Sequence, residues 1–354
     1  MKRTIMIGAR LVRLVRLAGL IALMTAAVAC GADGGEPVTV TLLTHSSFPE
    51  KPDLFAPFTE RTGIKVRVLC GEDAGTLTNQ AVLDREHPQG DAIYGIDNTF
   101  LSRALAAEIF EVREYDTNGV GDTFTARLDT HRIVPVDYGD VCFNYDIEWF
   151  ASRSIDPPNT IDDLVDPAYR GLTVVEDPST SSPGLAFLLA TSVAVDDWEK
   201  YWQQLAANDV LVVGDWTQAY QVEFTAGGGG DRPIVLSYAS SPPADVVFAD
   251  PPRDDTNVGV VDDACFRQVE YAGVLANSQH ADEAEQVVQY MLSPEFQEQL
   301  PLSMFVFPAV DEARLPAVFE QFALVAGDPV SLTADEIDAG REGLIDRWID
   351  IVLS

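Results

Sequence analysis

The residues that constrain the fold most are 173–184, TVVEDPSTSSPG, together with the apolar run LAFLLATSVAV that follows them. The pattern predicts a β-strand that ends at Asp177 and Pro178 and a helix that begins soon after. Ser181 or Ser182 would be the N-cap, and Pro183 would take the first helical position, where its missing N–H matters least. A strand that leads into a helix start presents free backbone N–H groups, so this turn can bind polar or anionic groups, although an ordinary capped turn fits the same residues.

The rest of the chain repeats this alternation of strands and helices. From Val38 onwards, short apolar β runs alternate with helical runs, a pattern typical of α/β folds with mostly parallel sheets. Three successive predicted strands, VTVTLLT, IKVRVLC and GDAIYGID, each lead into a polar loop. Ligands bind at the carboxyl ends of strands in open α/β sheets, so we expect His45, Asp73 and Asp97 to converge there.

The length of the chain and the order of its elements predict two lobes. Without the first thirty residues, about 325 residues remain, which is enough for two separate hydrophobic cores. A loop is predicted over 116–132, and the run CFRQVEYAGVL is expected to carry the chain back between the lobes. We therefore expect residues 38–134 and 270–354 to form lobe I and residues 135–269 to form lobe II.

The first thirty residues are expected to be a secretion signal. Five bases and no acid precede an apolar run that ends in small residues, which is typical of a signal peptide (1–29) and too short for a membrane span. Residues 27–31, AVACG, resemble a bacterial lipobox. They predict a lipid on Cys30 and a short tether over 30–37. The protein would then be extracytoplasmic, periplasmic or on the cell surface, and would touch the membrane only through this anchor. Cleavage by an ordinary signal peptidase after Ala29 is the alternative.

The chain is strongly acidic. It has 23 Lys and Arg residues against 56 Asp and Glu, a formal net charge of −33, and loss of the five leader bases leaves 18 against 56, or −38. Nucleic acids and anionic lipids bind basic surfaces, so neither is an expected partner, and cations are the favoured ligands. Carboxylates spread over the surface for solubility explain the same composition, so only carboxylates inside a cleft would support cation binding.

Three cysteines follow the leader: Cys70, Cys142 and Cys265. Export to an oxidising compartment allows them to pair, and three cysteines permit three different single bridges. We expect Cys142 and Cys265, each in a strand-like run, to form the disulfide and Cys70 to be buried outside it.

The sequence contains no convincing catalytic or metal-binding motif. Its four histidines are scattered without an HExxH or paired-cysteine pattern, and there is no GxSxG elbow. The tract Gly227–Gly230 lacks the Lys-Ser/Thr that a phosphate-binding loop requires. A two-lobed α/β protein with polar strand ends is typical of a solute-binding protein, and we expect no enzymatic activity, no cofactor and no metal.

A series of motifs gives the chain a family resemblance over nearly its whole mature length. In order they are THSSF (44–48), GEDAG (71–75), GIDN (95–98), VPVDYG (134–139), DPSTSSPG (177–184), DWTQAY (215–220), VLSYASSP (235–242) and SPEFQEQLP (293–301). Their order and spacing resemble those of the thiamine-binding components of bacterial ABC importers. SPEFQ is shared with relatives that bind iron, polyamines or sugars, whereas DPSTSSPG, DWTQAY and SYASSP together are more specific.

The resemblance implies a fold, a function and a set of ligand-binding residues. The fold would be the type II periplasmic-binding-protein fold, two α/β lobes with the ligand between them. The function would be to bind thiamine or a thiamine phosphate as a monomer and deliver it to an ABC permease and its ATPase. The ligand residues matched by motif, with Asp97 added for its charge, are Asp73, Ala74, Asp97, Ser181, Ser182, Trp216, Tyr238, Ala239, Ser240 and Ser241.

The chemistry of thiamine agrees with these residue types. Thiamine has a cationic thiazolium ring, a flat aminopyrimidine and a hydroxyethyl arm that bears phosphate in its esters. The faces of Trp216 and Tyr238 suit the cation, each contributing roughly 0.5–2 kcal/mol when desolvated. Asp73 or Asp97 can balance the charge, and the helix start at Ser181 and Ser182 can take the hydroxyl or phosphate. These residues also have structural interpretations: either ring can be part of the hydrophobic core, and Asp97 can cap the next helix.

Three positions depart from the family pattern. His45 stands where tyrosine is usual, Ala244 where a stacking aromatic is usual, and Phe305 where tryptophan is usual. His45 and Phe305 are still expected at the ligand. A polyamine or other organic-cation receptor of the same fold is the main alternative, and an iron receptor is disfavoured because there is no adjacent pair of tyrosines. A surface-anchored hydrolase that uses Ser181 or Ser182 and a purely structural lipoprotein are remoter alternatives.

Overall fold

The computed structural model of the chain describes residues 37–49, 53–125 and 131–354. The predicted signal peptide (1–29), the predicted lipidation site Cys30 and most of the predicted tether lie outside these residues, so what the sequence predicts for them stays a prediction. No helix in the described part of the chain is both long and apolar enough to span a membrane.

The described strands form one mixed sheet. In chain order they are β1 (Thr39–Thr44), β2 (Lys65–Cys70), β3 (Ala92–Asp97), β4 (Val134–Asp146), β5 (Thr173–Glu176), β6 (Leu211–Val213), β7 (Ile234–Tyr238), β8 (Val258–Val274) and β9 (Phe307–Pro308). Across the sheet the order is β2-β1-β3-β8-β4-β7-β5-β6, and β9 pairs with β4.

Helices occupy most of the connections between these strands. They are α1 (Ala56–Thr62), α2 (Ala74–Leu83), α3 (Leu101–Ala106), α4 (Asp122–Thr125), α5 (Ile147–Arg153), α6 (Ser182–Ala194), α7 (Trp198–Ala207), α8 (Trp216–Gln218), α9 (Pro242–Val247), α10 (Ala281–Met291), α11 (Pro294–Gln297), α12 (Leu300–Ser303), α13 (Ala317–Phe322) and α14 (Ala334–Val352). Two 3₁₀ turns, Ile161–Val165 and Pro167–Tyr169, precede β5, and a π-helical turn, Ala219–Glu223, follows α8.

The middle of the sheet corrects the expectation of mostly parallel strands. The flanks are parallel, since β1 pairs with β2 and β3, and β5 pairs with β6 and β7. In the middle, β8 runs antiparallel to β3 and β4, and β4 runs antiparallel to β7. The long strands β4 and β8, of 13 and 17 residues, therefore join the two parallel flanks.

The βα unit of residues 173–194 forms as its sequence predicts. Ser181 takes the N-cap position of α6, although its side chain makes no capping hydrogen bond, and Pro183 lies at the second helical position instead of the first. The ten residues 182–191 are all buried. A helix that is apolar on every side packs inside a protein, so α6 is part of the core.

The buried side chains form two large cores. One surrounds α6 and contains Phe187 and Trp202 together with Leu43 and Ile93 from the first parallel flank. The other lies around α10 and contains Phe55, among others. The first core continues across the predicted lobe boundary, so the lobe limits stay a prediction.

The disulfide forms between the cysteines that the sequence pairs. Cys142 on β4 and Cys265 on β8 are bonded, with a sequence separation of 123. The prediction that Cys70 is buried is wrong, because Cys70 is exposed. It ends β2, which is the edge strand of the sheet and whose last two residues are both exposed.

The C-terminal helix α14 joins elements from both flanks. It packs against α3, α6 and α7, and its first turn carries a capping box between Thr333 and Glu336. Near its other end, the buried ring of Trp348 meets Trp202 of α7 edge to face, with 5.7 Å between ring centroids.

We predict that Trp348→Ala destabilises the protein strongly. Both rings of the Trp202–Trp348 pair are fully buried, so truncation leaves a cavity and lowers the free energy of unfolding by about 3–5 kcal/mol. Ile349→Ala, at the neighbouring residue with 36% of its surface exposed, is the matched control and should change stability by about 1 kcal/mol or less. Urea denaturation checks this, and equal effects of the two changes would show that α14 is not held by this ring pair.

Candidate ligand-binding site

A narrow cavity of about 70 Å³ lies where the loops after several strands meet. Loops that follow β1, β2, β5, β6 and β7 contribute to its wall, together with β8 and the segment before β9. The lining residues are His45, Ser47, Asp73, Ala74, Ser182, Pro183, Trp216, Tyr220, Tyr238, Ser241, Ala244, Gln268, Glu270, Met304, Phe305 and Val306. We call this cavity the cleft.

Larger cavities occur elsewhere in the described part of the chain. One of about 370 Å³ lies beside α2 and is lined mainly by apolar side chains such as Leu43 and Leu77. The cleft is the better candidate site because it combines buried ionisable groups, aromatic rings and hydroxyls from both parallel flanks.

Eight of the twelve predicted ligand residues line the cleft: His45, Asp73, Ala74, Ser182, Trp216, Tyr238, Ser241 and Phe305. The other four, Asp97, Ser181, Ala239 and Ser240, are fully buried and lie outside the lining. The Asp97 carboxylate accepts a hydrogen bond from Ser182 Oγ, so it contacts the wall from behind. The backbone N–H of Ala239 donates to the carbonyl oxygen of Asp140.

Asp73 occupies the central position in the wall. It is the N-cap of α2, and its Oδ1 accepts from the backbone N–H of Ala74 at 2.6 Å. The same oxygen accepts a longer bond from Ser182 N at 3.4 Å, and Oδ2 accepts from Trp216 N at 3.1 Å. One carboxylate thus receives N–H groups from the starts of α2, α6 and α8. Burial raises the pKa of Asp73 above its ordinary value, and these N–H groups and His45 oppose the rise.

Three acids lie side by side across the sheet, and one of them, Glu270, lines the cleft. Glu270 on β8 stands opposite Asp97 on β3 and opposite Asp137 on β4, and opposite residues of antiparallel strands place their side chains on the same face. Burial raises the pKa of Asp97 to about 7 and that of Asp137 well above its ordinary value, with the charge of Glu270 adding to both. Tyr94 joins the group, since its hydroxyl donates to Asp137 Oδ2 at 2.5 Å and to Glu270 Oε2 at 3.1 Å.

His45 is the basic side chain next to these acids. Its Nε2 lies 3.2 Å from Glu270 Oε1, and both side chains are 9% exposed. Burial acts to lower the pKa of His45, but the charges of Glu270, Asp73 and Asp97 raise it above 6.5. Burial acts to raise the pKa of Glu270, but His45 holds it below its ordinary value.

Gly95 makes room for His45. A Cβ at this position would lie 2.2 Å from His45 Cδ2. The backbone φ of Gly95 is +95°, a value that residues other than glycine rarely adopt. Gly95, the glycine of the GIDN motif, therefore contributes to the site by leaving space for the His45 ring.

Aromatic rings form another part of the cleft wall. Trp216 and Tyr220 are stacked with 5.0 Å between centroids and 16° between planes, and Trp216 Nε1 donates to Ser237 Oγ at 2.9 Å. The Tyr238 hydroxyl donates to Gln268 Oε1 at 3.3 Å. At the rim, Phe305 has a left-handed backbone, φ 57°, and meets the exposed Phe248 ring at 5.6 Å.

Sequence reasoning missed Glu270, Gln268, Tyr220 and Met304. The signal for the first two was their spacing: Gln268 and Glu270 stand two positions apart within the run CFRQVEYAGV, so they lie on the same face of a strand. Among the described residues, no group of three or more His, Cys, Asp or Glu side chains is placed to hold a metal ion.

Comparison with known proteins decides the family. The family model for bacterial extracellular solute-binding proteins matches residues 91–324, which is more than half of the chain. The chain belongs to this family. The matched range contains most of the cleft, from Asp97 behind its wall to Phe305 at its rim.

Individual relatives of this solute-binding protein match along most of its length. The thiamine-binding periplasmic protein of Salmonella typhimurium is 28% identical over 324 residues, which cover 90% of this chain and 95% of that protein. The protein of the same name from Escherichia coli is 29% identical over 314 residues, which cover 87% and 92%. A solved structure of a periplasmic thiamin binding protein matches with a TM-score of 0.79 and 27% identity, over 89% of this chain and 96% of that one. The predicted type II periplasmic-binding-protein fold is confirmed.

We predict that Asp97 makes this solute-binding protein less stable as the pH rises. Its folded pKa of about 7 lies above the ordinary value of 3.8, so the folded state binds the proton more tightly. The free energy of unfolding therefore falls between about pH 4 and pH 7, by up to about 4 kcal/mol for this group, and levels off above pH 7.

Asp97→Asn, which keeps the shape of the protonated acid, should remove this loss. In denaturant titrations, the difference in free energy of unfolding between Asp97→Asn and the original protein should grow in favour of the variant as the pH rises across this range. Glu72→Gln, at an exposed acid, is the control and should show a difference that is constant with pH; a constant difference for Asp97→Asn as well would contradict the prediction.

Proposed function

We propose that this solute-binding protein is the substrate-binding component of an ABC importer, and that it binds thiamine in the cleft for delivery to a permease and its ATPase. The observation that carries the proposal is the pairing of buried carboxylates, Asp73 and Glu270, with aromatic rings in one cleft. The thiamine-binding names of relatives that match along most of the chain support the choice of ligand.

The charges of the cleft favour an organic cation. His45 balances only one carboxylate, because it is paired with Glu270, and Asp73 lines the same wall with backbone N–H groups as its partners. A thiazolium ring would supply a positive charge beside Asp73 and could stack on Trp216 or Tyr238. Thiamine also brings an exocyclic amine and a hydroxyl, which can pair with the carboxylates and with Ser241 or Gln268.

Ligand capture by closure of two lobes is part of the proposal. The lining contains residues of predicted lobe I, such as His45 and Asp73, and residues of predicted lobe II, such as Trp216 and Tyr238. The long strands β4 and β8 join the two flanks and would carry the hinge, as in other two-domain proteins that close on a ligand. We also propose that the protein acts as a monomer outside the cytoplasmic membrane, tethered through a lipid on Cys30.

Binding without catalysis fits the serines of the cleft. Ser182 Oγ donates its hydrogen bond to Asp97, which is fully buried outside the cleft lining, so this contact holds the wall of the cleft together. The relatives are named as binding proteins. A polyamine is the alternative cation that carboxylates and aromatic rings would accommodate.

Calorimetric titration of the purified protein, freed of bound ligand by unfolding and refolding, tests the ligand. We expect one molecule of thiamine to bind per chain and Trp216→Ala to weaken binding about 10- to 100-fold, since the change removes both ring contact and cation–π attraction. Trp149→Ala is the matched control, because Trp149 lies on α5 outside the cleft lining, and it should leave the affinity unchanged. If spermidine binds and thiamine does not, the ligand is a polyamine and not thiamine. If neither compound gives a binding signal, the proposal is rejected.

A second prediction concerns closure. The start of α2 packs so tightly on the loop before α6 that a Cβ on Gly75 would lie 2.5 Å from the carbonyl oxygen of Thr180, which also accepts a hydrogen bond from Thr76 N at 3.2 Å. The added methyl group of Gly75→Ala should therefore hold the start of α2 away from the loop before α6 and weaken ligand binding by at least about 10-fold. Gly343→Ala in α14, where a Cβ meets nothing within 4 Å, is the control; equal affinities for the two variants would argue against closure at this contact.

A further inference from the structure

His45 is the side chain of the cleft lining that can gain a positive charge. The described residues that line the cleft include no Lys, no Arg and no second histidine. Space for the His45 ring depends on Gly95 of β3, because a Cβ there would lie 2.2 Å from His45 Cδ2. The imidazole therefore has a defined position in the wall, held by the fold on the side of β3.

Acidic groups from three elements face this ring. Glu270 on β8 places its Oε1 3.2 Å from His45 Nε2. The charges of Asp73, at the start of α2, and Asp97, at the end of β3, also act on the imidazole. Tyr94 of β3 packs beside it, with 5.8 Å between ring centroids, and its hydroxyl donates to Glu270. These acids raise the pKa of His45 above 6.5, although burial acts to lower it.

A cationic ligand would compete with the proton on His45. The cleft is narrow, about 70 Å³, so a thiazolium ring in it would lie close to the imidazole. Two positive charges repel each other at short distance, and more strongly where water is largely excluded. Both would also be drawn to the same carboxylates, Asp73 and Glu270, which line the cleft together with His45. A bound cation would therefore lower the pKa of His45 that these acids have raised.

We infer that thiamine and the proton on His45 compete for the cleft, so that binding of thiamine releases this proton to the solvent. The inference rests on the proposed function and adds to it a dependence of affinity on pH. The imidazole is charged below its pKa and neutral above it, so thiamine should bind more tightly as the pH rises through that value. His45 then sets the affinity for the cation through its charge.

The pH dependence of binding tests the inference. The purified protein, freed of ligand, is titrated calorimetrically with thiamine from about pH 6 to about pH 9, a range that covers the titration of a perturbed imidazole. We expect the affinity to rise about 10-fold. Near pH 6, titrations in two buffers of different ionisation enthalpy should show release of about half to one proton per thiamine bound.

The possible failures of this experiment are distinguishable. If thiamine binds with an affinity that is constant or falls as the pH rises, and no proton is released, the inference is overturned while thiamine remains the ligand. If thiamine binds at no pH, the proposed function fails and the inference fails with it.

The variant His45→Gln assigns the proton. Glutamine keeps a hydrogen-bond donor but cannot be charged, so the variant should bind thiamine about 10-fold more tightly than the original protein near pH 6 and about equally near pH 9. If His45 merely supported the fold or contacted the ligand, its loss would weaken binding at both pH values, and that result would overturn the inference.

Asp97→Asn is the matched control, because Asp97, with a pKa of about 7, titrates in the same range. This variant should retain most of the pH dependence and of the proton release. If it loses them and His45→Gln keeps them, the released proton comes from Asp97 and the role of His45 is overturned.

Proton NMR of the unmodified protein gives a second measurement if His45→Gln does not fold. The ring signals of His45 can be assigned through their contacts with the neighbouring ring of Tyr94. They should titrate with a lower pKa when thiamine is bound than when it is absent. The same pKa with and without thiamine would contradict the competition.

Discussion

The Asp73 carboxylate holds the cleft together. It accepts backbone N–H groups from Ala74, Ser182 and Trp216, which begin three helices that are far apart in the sequence. Each helix start has N–H groups without intrahelical partners, and burying them unpaired is unfavourable. One buried carboxylate accepts an N–H group from each of the three starts and so links α6 and α8 to α2. The wall residues Ser182 and Trp216 therefore owe their positions to a side chain from the opposite flank.

A group of acids can be buried here because most of its charge is neutralised. Glu270 stands opposite both Asp97 and Asp137 in the sheet, and three adjacent carboxylates would repel each other strongly in a dry interior. Two devices prevent this repulsion. The raised pKa of Asp137 favours its uncharged form, and His45 pairs with Glu270. Asp73, bound mainly by backbone N–H groups, then stays as the carboxylate in the lining that an incoming cation can complement.

The sequence predicts well what depends on local pattern. The strand and helix of 173–194, the helix start at Ser181 and Ser182 and the polar strand ends that form the cleft all follow from periodicity and turn chemistry. It fails where the outcome depends on distant pairing. The antiparallel middle of the sheet has no local signature, so Glu270 could not be placed beside Asp97, and the exposure of Cys70 follows from β2 lying at the sheet edge. Nor does sequence show that Asp97 and Ser181 lie behind the wall, since burial depends on packing.

The position of the disulfide sets the kind of movement that the two flanks can make. Cys142 lies between Val141 and Phe143, where the register of β4 against β8 shifts, and its partner Cys265 lies on the other strand of that irregularity. A register irregularity is where paired strands could slip lengthwise, and a covalent bond at this point prevents the slip. The strands can then twist and bend on either side of a fixed point but cannot slide, so a closing movement that uses them is a rotation about a pinned axis and not a shear between layers.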